Sequence, residues 1–253
     1  MISAFEEKKQ QTGDEQDKGF YGNEMSFAAK EAYKLLRTNL TFALSNTDVG
    51  RGHIVGITSA LRGEGKSTTT INLASVLAEQ GDHVIVVEGD LRLPSLKKKL
   101  KMRRRAGLSN VLIARADPLE YIQVCKVGGV QEKDICFDLL PAGEIPPNPS
   151  ELLGSRRMEE VLNVLAKQYD YILLDLPPVT AVSDALVATK LVDGVVMVVR
   201  NEYTDTGSLN EAIRQLQQVE GKILGFVFTC ADSSRSRYSK KYKYRYYNYS
   251  EYK

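Results

Sequence analysis

The sequence predicts an α/β fold: a doubly wound, mostly parallel sheet flanked by helices. Two observations carry this. Short runs of β-branched and aliphatic residues alternate with longer stretches of helical periodicity, and the runs are nearly apolar throughout, as strands covered on both faces must be. The first run leads directly into a glycine-rich turn and then a helix, the local order in which a backbone can cradle an anion.

Taken in chain order, residues 1 to 25 are rich in Glu, Lys, Gln, Asp and Gly, with too few apolar positions to offset their ordering entropy, so a flexible arm is expected. From Ser26, the residues Phe27, Ala28, Ala32, Leu35, Leu36, Leu40 and Leu44 recur at three- and four-residue spacing. They predict a helix with an apolar stripe, beside which lie Glu31, Lys34 and Arg37. Six strands are expected at His53 to Thr58, Val84 to Val87, Phe137 to Leu140, Tyr171 to Asp175, Val195 to Val199 and Ile223 to Phe228. Crossover helices such as Thr68 to Glu79, Arg156 to Lys167 and Gly207 to Val219 lie between them. Right-handed crossovers are expected, and in such doubly wound sheets ligands sit at the carboxyl ends of the strands. One domain spans 26–231. From Asp232 core periodicity stops, and the Tyr/Lys/Arg/Ser tract 232–253 reads as a disordered tail.

Composition excludes several classes. At 253 residues, with 43% hydrophobic and 26% charged, the chain can bury a full core and is neither fibrous nor wholly disordered. No apolar run approaches the ~20 residues of a membrane helix, and Met1 to Lys18 is too polar for a signal peptide, so a cytoplasmic protein is expected. Cys125, Cys136 and Cys230 are odd in number and form no Cys-x-x-Cys pair, which argues against a disulfide framework and a zinc or iron–sulfur site. They read as reduced core residues. His53 and His83 have no ligating spacing. Net charge is only +2, but Lys97 to Arg105 concentrates seven basic residues, fitting either an anionic partner surface or a solvated helix face.

The glycine-rich turn is Ala60-Leu-Arg-Gly-Glu-Gly65-Lys66-Ser67, set between the first strand and a helix. Small residues let successive N–H groups turn toward phosphate oxygens, and the helix N-terminus adds its dipole. The fold is therefore P-loop NTPase-like. Gly63, Glu64, Gly65, Lys66, Ser67 and Thr68 are the expected contacts for ATP, with Lys66 reaching the β- and γ-phosphates and Ser67 ligating Mg²⁺. The usual first glycine of the pattern is Ala60 here.

Magnesium takes oxygen ligands, often carboxylates at strand ends. Tyr171-Ile-Leu-Leu-Asp175 is an apolar strand closing on an acid. Val84-Ile-Val-Val-Glu88-Gly-Asp90-Leu-Arg92 carries two carboxylates two residues apart, which in an extended chain would point the same way. The alternative for that pair is a solvated turn, since Asp and Gly favour turns.

These residues resemble the bacterial tyrosine kinases of capsule and exopolysaccharide synthesis, the CpsD/CapB type. That family has a Walker A loop, a Walker A′ motif of the form Asp-x-Asp-x-Arg and a Walker B strand, matched here by Ala60 to Ser67, Glu88 to Arg92 and Ile172 to Asp175. Further matches are Glu31-Ala-Tyr-Lys-Leu-Leu-Arg37-Thr-Asn-Leu40, Gly143-Glu-Ile-Pro-Pro-Asn-Pro-Ser-Glu-Leu-Leu153 and Asp193-Gly-Val-Val-Met-Val-Val-Arg200, so the resemblance spans roughly residues 26 to 253. Two positions depart from the pattern. Glu88 replaces the first Walker A′ aspartate, and its extra methylene would shift a general base by about an ångström, which costs up to ~10²-fold in rate. Lys34 replaces the middle arginine of the Glu-x-x-Arg-x-x-Arg oligomerisation motif formed here by Glu31, Lys34 and Arg37, and lysine makes no bidentate carboxylate contact. The rivals are ParA/MinD-like ATPase switches without a protein acceptor, whose signature lysine would fall at Leu61, or a weakened kinase acting as an ATP-binding assembly module.

The resemblance implies a protein-tyrosine kinase with Lys66, Glu88, Asp90 and Asp175 as catalytic residues. Glu88 would be the base for the acceptor hydroxyl, and Ser67, Asp90 and Asp175 would hold Mg²⁺. Its expected acceptors are Tyr238, Tyr242, Tyr244, Tyr246, Tyr247, Tyr249 and Tyr252. Seven Lys and Arg against Glu251 give this tail a charge of +6 from Arg235 onward, and modifying all seven tyrosines would carry it to about −5 to −8. The other reading of the tail is a solubilising or nucleic-acid-stacking segment. The resemblance further implies a homo-oligomeric ring, a transmembrane activator of the chain-length-determinant type, a cognate tyrosine phosphatase, and peripheral membrane association through the activator. No nucleic-acid partner is expected.

Overall fold

The computed structural model describes residues 25–45, 50–102, 106–127 and 135–231. The flexible-arm reading of 1–24, the basic residues Arg103 to Arg105 and the tyrosine-bearing segment from 232 onward lie outside the described residues.

Helix α1 (Phe27–Leu44) starts where the Ser26 hydroxyl accepts the Ala29 N–H. The elements β1 (His53–Ser59), α2 (Lys66–Gln80), β2 (Val84–Glu88), α3 (Leu96–Lys99) and α4 (Leu108–Ala114) follow. A 3₁₀ turn, Pro118–Tyr121, precedes β3 (Gln123–Val127), β4 (Ile135–Leu140), α5 (Pro149–Leu153), α6 (Arg156–Leu165), β5 (Tyr171–Asp175) and α7 (Asp184–Thr189). Then come β6 (Gly194–Arg200), α8 (Thr206–Gln218) and β7 (Ile223–Thr229). The seven strands form one sheet in the order β3-β4-β2-β5-β1-β6-β7, parallel except where β3 runs antiparallel to β4.

Both faces of the inner strands are buried, in alternation. Ile54, Ile85, Val87, Ile172 and Leu174 enter one core layer, while Val55, Ile57, Val86 and Leu173 enter the other. Helix α6 covers the first layer with Met158, Val161, Leu162 and Leu165, and α2 covers the second with Ile71, Leu73 and Leu77. This double cover is why the strands read as continuous apolar runs.

Three sequence expectations need correction. Strand β3 is a seventh strand that the apolar-run criterion misses: it sits at the sheet edge with one wet face, so Val124 and Lys126 point outward and break the run. The stripe on α1 is narrower than read. Leu40 and Leu44 are buried and Tyr33 and Leu36 pack against the core, but Phe27 is 77% and Leu35 49% exposed. The buried line passes through Leu36, Leu40 and Leu44, and Leu35 falls about 100° around the helix from it. Lys30 Nζ to Glu79 at 2.8 Å and Arg37 Nη1 to the Val76 carbonyl at 2.7 Å tether α1 to α2. Finally, Cys125 is a core residue, but Cys136 and Cys230 are exposed; Cys136 faces outward on β4 and Cys230 lies just past the end of β7.

Among the described residues of the basic run, Lys97 to Lys99 lie in the single turn α3, anchored by buried Leu96. Among the described residues no helix is long and apolar enough to cross a membrane.

Candidate active site

Strand register brings the site together. Asp175 at the end of β5 pairs with Ile57 of β1 on one side and with Glu88 of β2 on the other. The turn leaving β1 and the acids ending β2 and β5 therefore meet at one edge of the sheet, as doubly wound folds require.

In the P-loop, Gly63 and Gly65 adopt φ of 82° and 95°, conformations costly for any residue with a Cβ. A Cβ on Gly65 would also lie 3.3 Å from Thr229 Cγ2. Helix α2 starts at Lys66 with Gly65 as its N-cap and no side-chain capping bond, leaving its first-turn N–H groups for an anion. Glu64 plays a part that the spacing does not reveal. Its carboxylate is fully buried, accepts the Leu61 N–H at 2.5 Å and takes a hydrogen bond from the Thr204 hydroxyl, so the side chain braces the loop from beneath. Three donors hold the loop's carbonyls: Thr229 Oγ1 to Glu64 O at 2.7 Å, Arg200 Nη1 to Gly63 O at 3.1 Å, and Tyr203 Oη to Arg62 O at 3.1 Å. Any nucleotide contact from Glu64 must come from its backbone.

Lys66 is largely buried, which lowers its pKa against the opposing pull of the Asp175, Asp90 and Glu64 charges. Asp175 is buried beside it, and that burial raises its pKa to about 7, opposed by a hydrogen bond from Ser67 and the charge of Lys66. Ser67 Oγ donates to Asp175 Oδ2 at 2.6 Å, and Thr70 Oγ1 donates to Oδ1 at 3.2 Å. Thr70 is a site residue the sequence reading missed. Its signal was its position three residues after Ser67, on the same helix face.

The two Walker A′ carboxylates do not point the same way, contrary to the extended-chain expectation. Strand β2 stops at Glu88; Gly89 N–H then bonds to the Asp175 carbonyl at 2.8 Å and Leu91 N–H bonds to the Gly89 carbonyl at 3.0 Å, turning the chain. Glu88 Oε1 accepts the Ser95 and Leu96 N–H groups at 2.6 and 2.7 Å, and Oε2 accepts the Ala142 N–H at 3.1 Å. Burial raises the Glu88 pKa, with these three backbone donors opposing it. Asp90 is half-buried, lines the cleft and accepts the Leu93 N–H at 3.0 Å. Ser95, also missed from sequence, lines the cleft too, its hydroxyl 3.1 Å from Ser67 Oγ.

Arg92 fastens this turn to the rest of the fold. Its Nε and Nη2 donate to fully buried Asp184 at 2.8 and 3.0 Å, and Nη2 reaches Ser150 Oγ at 3.2 Å. Ser150 also donates to Asp184, joining the starts of α5 and α7. The resulting cleft holds about 370 Å³ and is lined by Arg62, Lys66, Ser67, Thr68, Asp90 and Ser95 among others, a size typical of small-ligand sites.

The cradle fits a nucleotide phosphate, with an uncapped helix start and a buried cation beside it. Among the described residues no three His, Cys, Asp or Glu side chains form a self-sufficient metal site. A cation here would need the hard oxygens of Ser67, Asp90 or Asp175 plus those of a phosphate, which is how magnesium usually binds. The residues of the expected oligomerisation motif lie elsewhere, on α1: Lys34 Nζ pairs with Glu31 Oε1 at 2.7 Å, and Arg37 is held by Val76. The seven tail tyrosines lie outside the described residues.

Comparison with known proteins agrees with this architecture. A family model described as an AAA domain, a nucleotide-binding fold, matches residues 52–225. Tyrosine-protein kinase YwqD of Bacillus subtilis is 35% identical over 217 residues, covering 86% of this chain and 85% of that protein. Tyrosine-protein kinase etk of Escherichia coli K12 is 33% identical over 213 residues, 83% of this chain, which spans only 28% of that longer protein. The solved kinase domain of Escherichia coli tyrosine kinase ETK superposes with a TM-score of 0.71 at 30% identity, over 82% of this chain and 79% of that one. With the P-loop, the acidic strand ends and these relatives in agreement, the chain belongs to the family of bacterial protein-tyrosine kinases.

Proposed function

We propose that this chain is an ATP- and Mg²⁺-dependent kinase that phosphorylates its own C-terminal tyrosines, Tyr238, Tyr242, Tyr244, Tyr246, Tyr247, Tyr249 and Tyr252, between subunits of a ring. In this reading the modification regulates capsular or exopolysaccharide synthesis and export. The carrying observation is one cleft in which an uncapped helix start, buried Lys66, Ser67 and the Asp90 carboxylate converge, with buried Asp175 bonded to Ser67 behind it. P-loop amides and Lys66 would hold the triphosphate, and Ser67, Asp90 and Asp175 would supply oxygens to Mg²⁺. Bound Mg²⁺ would neutralise charge developing on the phosphate oxygens. Asp90 is the carboxylate facing the cleft, so it is also placed to receive an acceptor tyrosine's proton. Glu31, Lys34 and Arg37 would contribute to subunit contacts. The chain would reach the membrane through a transmembrane activator of the chain-length-determinant type, and a cognate tyrosine phosphatase would reset the tail.

Incubating the purified chain with ATP-Mg²⁺, with and without an activator tail, and mapping phosphotyrosine by mass spectrometry tests the reading. Phosphate on the tail tyrosines that disappears in Lys66→Met is the expected result. ATP turnover without phosphotyrosine would sink it in favour of an ATPase switch. One observation favours a second reading, a nucleotide-binding assembly module with weak transfer: both oxygens of Glu88 are already occupied by backbone donors. Tight ATP binding with neither turnover nor transfer would establish that reading instead.

A further inference from the structure

We propose that Tyr203 is a second autophosphorylation site, modified by another copy of this chain, and that phosphate there weakens nucleotide binding by opening the clasp over the P-loop. The inference rests on the tyrosine-kinase reading above. Among the described residues Tyr203 is the exposed tyrosine, 51% accessible; Tyr33, Tyr121 and Tyr169 are partly covered and Tyr171 is buried. It stands on a turn just past β6, presented by Glu202 at φ 57° and held by Thr204, whose Oγ1 accepts the Arg200 N–H at 3.0 Å. The Arg200 guanidinium carbon lies 5.1 Å from the ring centroid.

Transfer within one subunit is disfavoured by topology. The Tyr203 hydroxyl touches the P-loop from the β6–β7 side, bonded to the Arg62 carbonyl, whereas Asp90, the carboxylate that lines the cleft, follows β2 on the other side of β1. A second copy has no such constraint, and the charges match. Tyr203 is flanked by the acids Glu202 and Asp205, both exposed, while the cleft mouth carries Arg62 and Lys99, with Lys97 and Lys98 on the same turn. Opposite charge of this kind steers encounter and register. The tail tyrosines have the reverse character, interleaved with Lys and Arg.

In the transfer step, a bond forms between Tyr203 Oη and the γ-phosphorus of ATP while the bond from that phosphorus to the β–γ bridging oxygen breaks. The electron pair leaves with ADP, and the phenolic proton passes to water or to the carboxylate facing the donor copy's cleft. The product has lost the O–H that donated to Arg62 and gained about −1.5 to −2 charges beside a loop built to receive phosphates. Both changes oppose nucleotide binding. The clasp thus becomes a feedback switch that acts on the loop directly, independently of the tail.

The test uses full-length ¹⁵N-labelled chain carrying Lys66→Met as acceptor, mixed with unlabelled wild-type chain, ATP and Mg²⁺. Trypsin cuts after Arg200 and Arg214 and releases a peptide whose one tyrosine is Tyr203. The expected result is labelled peptide phosphorylated on Tyr203, together with labelled tail phosphotyrosine. Tail phosphate with an unmodified Tyr203 peptide overturns this inference and leaves the tail reading standing; no phosphotyrosine anywhere overturns both. The consequence is tested by ATP titration. The Tyr203-phosphorylated chain is expected to bind at least about tenfold more weakly, and Tyr203→Phe, which loses only the hydrogen bond, about three- to tenfold more weakly. Unchanged affinity in the phosphorylated chain refutes the switch.

Discussion

Glu88 and Ser95 are joined at 2.6 Å, the carboxylate receiving the serine's backbone N–H, and the Ser95 hydroxyl carries that placement on to Ser67 Oγ at 3.1 Å. A buried acid at the end of β2 thereby fixes the wall of the cleft opposite the P-loop without facing the cleft. Its extra methylene relative to aspartate has a use here, since the side chain reaches the Ala142 amide beyond β4 as well as the start of α3.

The two Walker A′ acids should therefore fail differently when changed. Glu88→Ala leaves three backbone donors without their acceptor and is expected to cost about 3 kcal/mol or more, since a buried unsatisfied donor costs about 1–3 kcal/mol. Glu88→Asp retracts the carboxylate and should cost about 1–3 kcal/mol on the same grounds. Asp90→Asn should change stability little while lowering phosphoryl transfer by ~10²-fold or more, within the range of a lost general base or metal ligand. Urea denaturation beside a transfer assay separates the two. A stable, inactive Glu88→Ala would return the base role to Glu88.

Asp175 makes the nucleotide-free protein sensitive to pH in a defined direction. Its folded pKa of about 7 lies above the ordinary carboxylate value of 3.8, so the folded state holds the proton more tightly than the unfolded state. The stabilising contribution is complete below the ordinary value and is lost as pH rises through about 7; the raised pKa of Glu88 acts in the same sense. Stability in EDTA should fall between pH 4 and pH 7, with Asp175 contributing on the order of 1.4 kcal/mol per pH unit while it titrates. Asp175→Asn should flatten the profile in denaturant titrations. A wild-type slope matching that of Asp175→Asn would refute the assignment.

The parts of this molecule that were legible in the sequence are those where one physical demand dominates. The inner strands read correctly because cover on both faces leaves no polar position to blur the run, as in Val84 to Val87 and Tyr171 to Leu174. The P-loop read correctly because only glycine suits the φ values at Gly63 and Gly65. What stayed hidden depends on partners distant in sequence. Val124 and Lys126 become strand residues only through pairing with β4. Glu64 looks like a loop residue until Thr204, 140 positions away, meets it. Glu88 and Asp90 separate only because Gly89 bonds to the Asp175 carbonyl and turns the chain.

Lys66→Met should separate stability from binding. Burial outweighs the pull of Asp175, Asp90 and Glu64 on the ammonium, as its lowered pKa records, so an apolar side chain of similar length removes a net cost of holding the charge. The nucleotide-free melting temperature is expected to hold or rise. The stabilisation by ATP-Mg²⁺, about 2.7 kcal/mol at a hundredfold excess over Kd for the wild type, should disappear. Calorimetry with and without nucleotide measures both. A fall of several degrees in the nucleotide-free melting temperature would mean that the Lys66 charge stabilises the fold.

Arg92 and Asp184 offer the sharpest test of how the Walker A′ turn is held. Asp184 is fully buried, and its acceptor capacity is met by Arg92 and Ser150, so Arg92→Ala strips a buried carboxylate of its counter-charge. The arginine side chain is itself 42% exposed, which lets water screen the loss, so the expected cost is about 2 kcal/mol, below that of a fully buried pair. Arg92→Ala/Asp184→Ala should recover part of that cost, because no unpaired charge then remains, giving a coupling of about 1 kcal/mol in a double-mutant cycle. Transfer activity should not recover with it. Asp90 lies two residues before Arg92, and the turn that aims it into the cleft is anchored through that arginine, so both variants should show transfer about tenfold or more below wild type. Strict additivity in the denaturation cycle, or full activity in the double variant, would show that the pair does not position Asp90.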